Sequence, residues 1–266
     1  MTKRIEELLE SLPKRPEEDS LLKFLDAAFN HLGDKDYREM IQTAVPGMEE
    51  GSYGVRVPEL RTLTKKLVNA YKDQFEILRS LIEPIWSQPT REHKQVALFI
   101  SFYGKIPADE GWELALRLIP DIQNWEVCDQ LCLSLTTPAL AQDPRLFDTL
   151  EEWVGSASYW RRRVALVTAA ILRKPIFPAK EAAALDQRVL QMCLGLLDDP
   201  EPYVAKAVDW TIREILKRRY DMARVWMFTR LQEDLSRTAR STLRKASAKL
   251  TDTDRRYFLE QFKLIR

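Results

Sequence analysis

Pro202-Tyr203-Val204-Ala205-Lys206-Ala207-Val208-Asp209-Trp210-Thr211-Ile212-Arg213-Glu214 sets its apolar residues at steps of three and four. That spacing is one face of an α-helix, since side chains so separated stack on the same side. The segment has counterparts upstream. Val204-Ala205-Lys206-Ala207-Val208 aligns with Arg161-Arg162-Arg163-Val164-Ala165, with Trp125-Glu126-Val127-Cys128-Asp129 and with His93-Lys94-Gln95-Val96-Ala97. Taking Ala97, Asp129, Ala165 and Ala207 as markers gives steps of 32, 36 and 42 residues. A helical pair returning at such a period cannot bury its apolar face alone, so neighbouring units must stack.

This period is that of HEAT-like repeats. The expected fold is therefore all-α, a HEAT-like helical-repeat superhelix (α-solenoid) whose concave face is a binding surface; a plain helical bundle is the alternative. Working outward, eight Gly in 266 residues and an abundance of Leu, Ala, Glu, Arg and Lys favour helix nearly everywhere. Helices are expected near residues 2–12, 19–31 and 35–44, then an irregular stretch from Ala44 to Val57 holding Pro46, Gly47, Gly51 and Gly54. Short breaks follow at Pro84, Pro89, Pro107, Pro120, Asp143-Pro144, Pro175, Pro178 and Asp199-Pro200, which divides the chain into about a dozen helices. No boundary is required, so one domain over 1–266 is expected: N-terminal helices to 52, repeats over 53–250 and a final helix over 251–266.

An apolar content of 45% is ample for a core. Three Cys (Cys128, Cys132, Cys193) make no paired framework, and neither a leader nor a long apolar run is evident, so a soluble cytoplasmic protein is expected. The net charge of +1 hides an asymmetry. Residues 151–266 carry 23 Lys and Arg against 15 Asp and Glu, a balance of +8 that leaves −7 on the first 150. A polyanion would meet the C-terminal half, although mixed solvated helix faces give the same statistic.

Three groups of residues carry possible chemistry. Trp125 and Asp129 share one flank of a helix whose Val127, Cys128 and Leu131 point to the core, which leaves the carboxylate accessible. Arg161, Arg162 and Arg163 must point in three directions about 100° apart. At least one faces the inner surface, and alignment selects Arg163, with Arg162 beside it as a second candidate for a phosphate. Lys206, Trp210 and Arg213 form a cation, ring, cation stripe suited to a nucleic-acid backbone. Read singly, each is as well explained by helix packing and surface ion pairs.

Taken in order, the motifs resemble the AlkD-type DNA alkylation-repair glycosylases, a family built from HEAT-like repeats. The likeness runs from about Tyr53 to Lys217. It comprises Tyr53-Gly54-Val55 with Pro58 and Arg61; Ile85-Trp86 with Pro89 and Glu92; Asn124-Trp125-Glu126 ending in Asp129; Trp160 ending in Arg163; and Lys206-Ala207 leading to Trp210 and Arg213-Glu214. The resemblance implies that Asp129 is the catalytic carboxylate, Trp125 and Trp210 the substrate-facing rings, Arg163 a phosphate-binding arginine, and Lys206 and Arg213 further parts of a DNA-binding surface. It also implies release of cationic N3- or N7-alkylated purines from duplex DNA without a deep base-flipping pocket. Glu126 departs from the family's Asp, and the charge is less basic than the family's.

Other signals are weak. Cys128 and Cys132 are four residues apart with no further ligand nearby, only two His occur, and no GxxxxGK[ST] or GxGxxG fingerprint is present. No metal or cofactor is therefore expected, and a His93 at the edge of a repeat core reads as packed or capping. The expected partner is duplex DNA containing alkylated bases, met by a monomer without a membrane. The other reading is a non-catalytic HEAT-type module, binding DNA structure or scaffolding proteins.

Overall fold

The computed structural model describes residues 2–45, 51–172 and 179–264, and every regular element among them is helical. Two compact units divide the chain, Met1–Ala139 and Leu140–Arg266. Pro46, Gly47, Pro175 and Pro178, expected above as breakers, lie outside the described residues.

The first unit opens with α1 (Thr2–Leu9), α2 (Glu18–Leu32) and α3 (Lys35–Ala44), close to the expected bounds. Asp34 caps α3 by accepting the Tyr37 N–H at 3.0 Å. That bond, helped by Arg56, holds its carboxyl below the usual range. Gly54 meets this cap closely. Its φ of 78° is left-handed, and an added Cβ would stand 2.3 Å from the Asp34 carbonyl oxygen, so glycine is required at this position. Then follow α4 (Val57–Ala70), a 3-10 turn, α5 (Phe75–Ser80), α6 (Ile82–Trp86), α7 (Arg91–Gly104), α8 (Ala108–Leu118), a second 3-10 turn and α9 (Trp125–Leu131).

A π-helical turn over Cys132–Thr136 joins α9 to α10 (Thr137–Gln142). Pro84, expected to break the chain, instead sits inside α6, at a third helical position whose N–H has no intrahelical acceptor in any case. Short elements of this kind account for seventeen α-helical segments among the described residues, against about a dozen expected.

The second unit holds α11 (Leu146–Trp153), α12 (Tyr159–Ile171), α13 (Ala179–Gly195), α14 (Pro202–Arg218), α15 (Tyr220–Arg230), α16 (Arg237–Ala246) and, after a 3-10 turn, α17 (Asp252–Leu264). Ser158 and Ser236 cap α12 and α16 through their side-chain oxygens.

Each unit stacks its second helices side by side, which is how a helical repeat hides what one pair leaves open. In the first unit α4, α6 and α9 pack on α7; in the second α12 and α16 pack on α14. These inner helices are buried on nearly every side. Gln95 to Ser101 of α7 and Arg163 to Ala170 of α12 are buried without interruption. Residues left uncovered on such helices are therefore few, and they are the ones to inspect.

Candidate functional site

In the first unit the Asn124 side chain starts α9, accepting the Val127 N–H at 3.0 Å. Val127, Cys128, Gln130 and Leu131 are then buried. Only Trp125, Glu126 and Asp129 stay partly open, so the ring and the carboxylate expected to share a flank do so, one turn apart. Asp129 is half-buried and engaged in interactions of its own. The π turn begins three residues beyond it, a feature that recurs at functional sites because it alters the pitch of the side chains around it.

Glu126 has a different task. Its two oxygens receive Nε and Nη2 of Arg91, each at 2.6 Å. Nearby, Gln130 donates to Ser134 Oγ at 2.8 Å and accepts from Arg61, whose guanidinium also lies 5.3 Å from the Phe99 ring.

In the second unit α14 carries an uncovered strip. Between 203 and 217 every residue that is half-exposed or exposed, Ala205 excepted, is Tyr203, Lys206, Trp210, Arg213 or Lys217. At 100° per residue these five fall within a sector of about 80°, running roughly 21 Å along the axis. Two aromatic rings and three cations line it. Tyr203 and Lys217 were missed in the sequence, although each stands seven residues from Trp210 and so shares its face.

The Tyr203 ring stacks on Trp160 at 5.3 Å and 28°, Tyr159 packs behind at 4.8 Å, and the Lys206 ammonium lies 5.8 Å from the Tyr203 ring. Arg213 is half-exposed and forked onto Asp209 at 3.0 Å through both Nε and Nη2, and Lys217 reaches Glu214 at 2.6 Å. Lys206 is exposed.

Arg163, selected by alignment, and its neighbour Arg162 lie deeper. Arg163 is 5% exposed, and its Nη1 donates to the Tyr203 carbonyl at 2.6 Å among other interactions, so it underpins the first turn of α14. Arg162 is held at the start of α12. Its Nε and Nη2 fork onto Asp199 at 2.6 and 3.1 Å, and Nη1 donates to the carbonyls of Ser156 and Ala157. With these donors occupied inside its own unit, Arg162 is a brace between the start of α12 and the turn before α14.

Further candidates resolve into packing. His93 is buried against the Phe29 ring at 5.0 Å, with Nδ1 2.8 Å from Thr90 Oγ1. Cys128, Cys132 and Cys193 are buried cysteines outside any disulfide, and burial pushes the Cys193 thiol well above its ordinary pKa. Among the described residues no three His, Cys, Asp or Glu gather closely enough to hold a metal ion, and no helix is long and apolar enough to cross a membrane.

The chain thus presents a carboxylate and an indole one turn apart on one inner helix, and two rings among three cations on another. Comparison with solved structures returns a protein described as a predicted DNA alkylation repair enzyme from Enterococcus faecalis, with a TM-score of 0.64 at 20% identity, over 83% of this chain and 97% of that one. At that identity the likeness is one of fold. Among curated proteins no match is found. The model of the DNA alkylation repair enzyme family matches residues 25–250, which span α9, α12 and α14 entire. The chain belongs to the DNA alkylation repair enzyme family.

Proposed function

We propose that this protein is a glycosylase that hydrolyses the N-glycosidic bond of cationic N3- or N7-alkylated purines in duplex DNA. The observation that carries the reading is α9, a helix buried except for Trp125, Glu126 and Asp129. Glu126 is forked by Arg91, while the Trp125 indole and the Asp129 carboxylate stand one turn apart on the flank of the helix that stays partly open. Family membership makes alkylated DNA the business of the chain; which bond is broken is our inference.

The chemistry asks little of the protein. Alkylation at N3 or N7 puts a positive charge on the purine, so the bond to the sugar is already weakened and the base leaves without further protonation. Positive charge then grows on the deoxyribose as the bond lengthens. Asp129 stabilises it electrostatically and orients the attacking water. The face of Trp125 adds cation–π attraction of about 1–2 kcal/mol when partly desolvated.

Lys206 and Arg213 contact phosphates on either side of Trp210, with Tyr203 laid against a sugar beyond Lys206, and Arg163 holds the first turn of α14 from beneath. In this reading no deep pocket receives an extruded base. Binding by such a surface is independent of sequence and weakens with salt.

The direct experiment is single-turnover incubation with a duplex carrying one 7-methylguanine, and in parallel with a methylated plasmid rich in 3-methyladenine. Free alkylated base and an abasic site are the expected products. Tight binding to these duplexes with no base released would leave the non-catalytic DNA-binding reading in its place.

A further inference from the structure

Two buried charges, Arg91 and Glu92, and the partly buried Glu126 lie between the loop before α4 and the start of α9. Arg91, the first residue of α7, has a fully buried side chain. Its Nε and Nη2 fork onto Glu126, and its Nη1 donates to the Val55 carbonyl at 2.9 Å and to Glu92 Oε1 at 3.2 Å. Glu92, equally buried, accepts the N–H groups of Tyr53, Gly54 and Val55 at 3.0, 3.1 and 3.1 Å and the Ser52 hydroxyl at 2.7 Å. The result ties the loop, the beginning of α7 and the first turn of α9 together.

A buried ion pair is poor evidence of stabilisation, because desolvation offsets most of the attraction and apolar side chains of similar volume do as well. A bidentate fork does supply direction, since its two bonds fix the plane and azimuth of the carboxylate. Direction is what α9 needs. It has seven residues before the π turn interrupts the i to i+4 ladder that continues into α10, so the regular helix by itself fixes its rotation over only about two turns. Side-chain tips stand about 5–6 Å from a helix axis, so a turn of about 10° would carry the Asp129 carboxylate roughly 1 Å sideways. A displacement of that size at a reacting centre costs on the order of 100-fold in rate.

We infer that Arg91 is a positioning residue: its fork on Glu126 sets the rotation of α9 and thereby the places of Trp125 and Asp129. The inference rests on the glycosylase reading for its effect on rate, but not for its structural content. It also gives the Glu at 126 a reason, because the shorter Asp would not span the same distance to Arg91.

The test uses the full chain carrying Arg91→Lys, which keeps the charge and removes the fork. Single-turnover release of 7-methylguanine should fall at least about 30-fold, while the Kd for a duplex with an abasic-site analogue stays within about threefold. Amide hydrogen exchange over 125–131 should quicken, with that of α4 unchanged. Release at the wild-type rate, or release and binding falling in step, would overturn the inference. So would unaltered exchange in α9, and this readout decides the matter even if the wild-type chain releases no base and the glycosylase reading itself fails. Should the single variant unfold, Arg91→Met with Glu126→Met offers an apolar pair in its place; wild-type release by that folded double variant would equally sink the positioning role.

Discussion

Replacing Asp129 by Asn separates charge from shape. The two side chains are nearly isosteric, and the site is half-buried on a helix whose core contacts come from Val127, Cys128 and Leu131, so the fold should be little disturbed. What is lost is a negative charge close to the sugar. At about 4 Å and an effective dielectric constant of about 20, that charge stabilises a full positive charge by about 4 kcal/mol. Only the part that develops at the transition state counts, so a loss of about 2–4 kcal/mol is expected, or 30- to 1,000-fold in single-turnover release of 7-methylguanine. The neutral amide still accepts and donates hydrogen bonds, so affinity for a duplex with an abasic-site analogue should hold within about threefold. Quenched time courses measure the first quantity and fluorescence anisotropy the second, with Tm as the control for folding. Release within about fivefold of wild type would refute the assignment of Asp129. An equal loss of binding and release would refute the argument that its charge acts on the transition state.

Lys206→Ala should weaken duplex binding and make the plot of log K against log salt shallower by about 0.9, one phosphate's worth; an unchanged slope removes Lys206 from the interface. Arg162→Ala should destabilise the second unit by about 3 kcal/mol, because Asp199 is left buried with only the Glu201 N–H as a described partner. Its DNA affinity should change less than that of Lys206→Ala, and the reverse order would restore Arg162 to the binding surface. Burial foremost, with Lys94 adding and Asp26 and Glu92 opposing, holds the His93 imidazole below its ordinary pKa. The unfolded chain therefore binds this proton more tightly, and stability is lost as pH falls through about 6.5 toward the folded value. Between about pH 7.5 and about pH 5.5 the wild-type Tm should drop further than that of His93→Gln, and parallel curves would show that His93 titrates alike in both states.

How far the sequence could be read differs from residue to residue. The α-helical class, the bounds of α3 and the inner helices at 93, 125, 161 and 204 followed from local periodicity, because burial of one helix face writes itself into steps of three and four. By the same rule Val127, Cys128 and Leu131 had to point inward, leaving Trp125 and Asp129 on the flank. The α14 strip is legible too, since Tyr203 and Lys217 stand one turn beyond the two ends of the Lys206, Trp210, Arg213 stripe and share its face.

Other features belong to the folded chain alone. Arg161, Arg162 and Arg163 are indistinguishable as letters; what separates Arg162 is Asp199, which lies 37 residues away and captures its guanidinium. Arg91 and Glu126 are likewise 35 residues apart, and neither carries a local sign that the other awaits it. Periodicity reports which side of a helix faces the core, since that is a property of neighbours in sequence. Which charges meet inside that core is settled by packing between helices, and a low-dielectric contact between distant residues leaves no repeat to read.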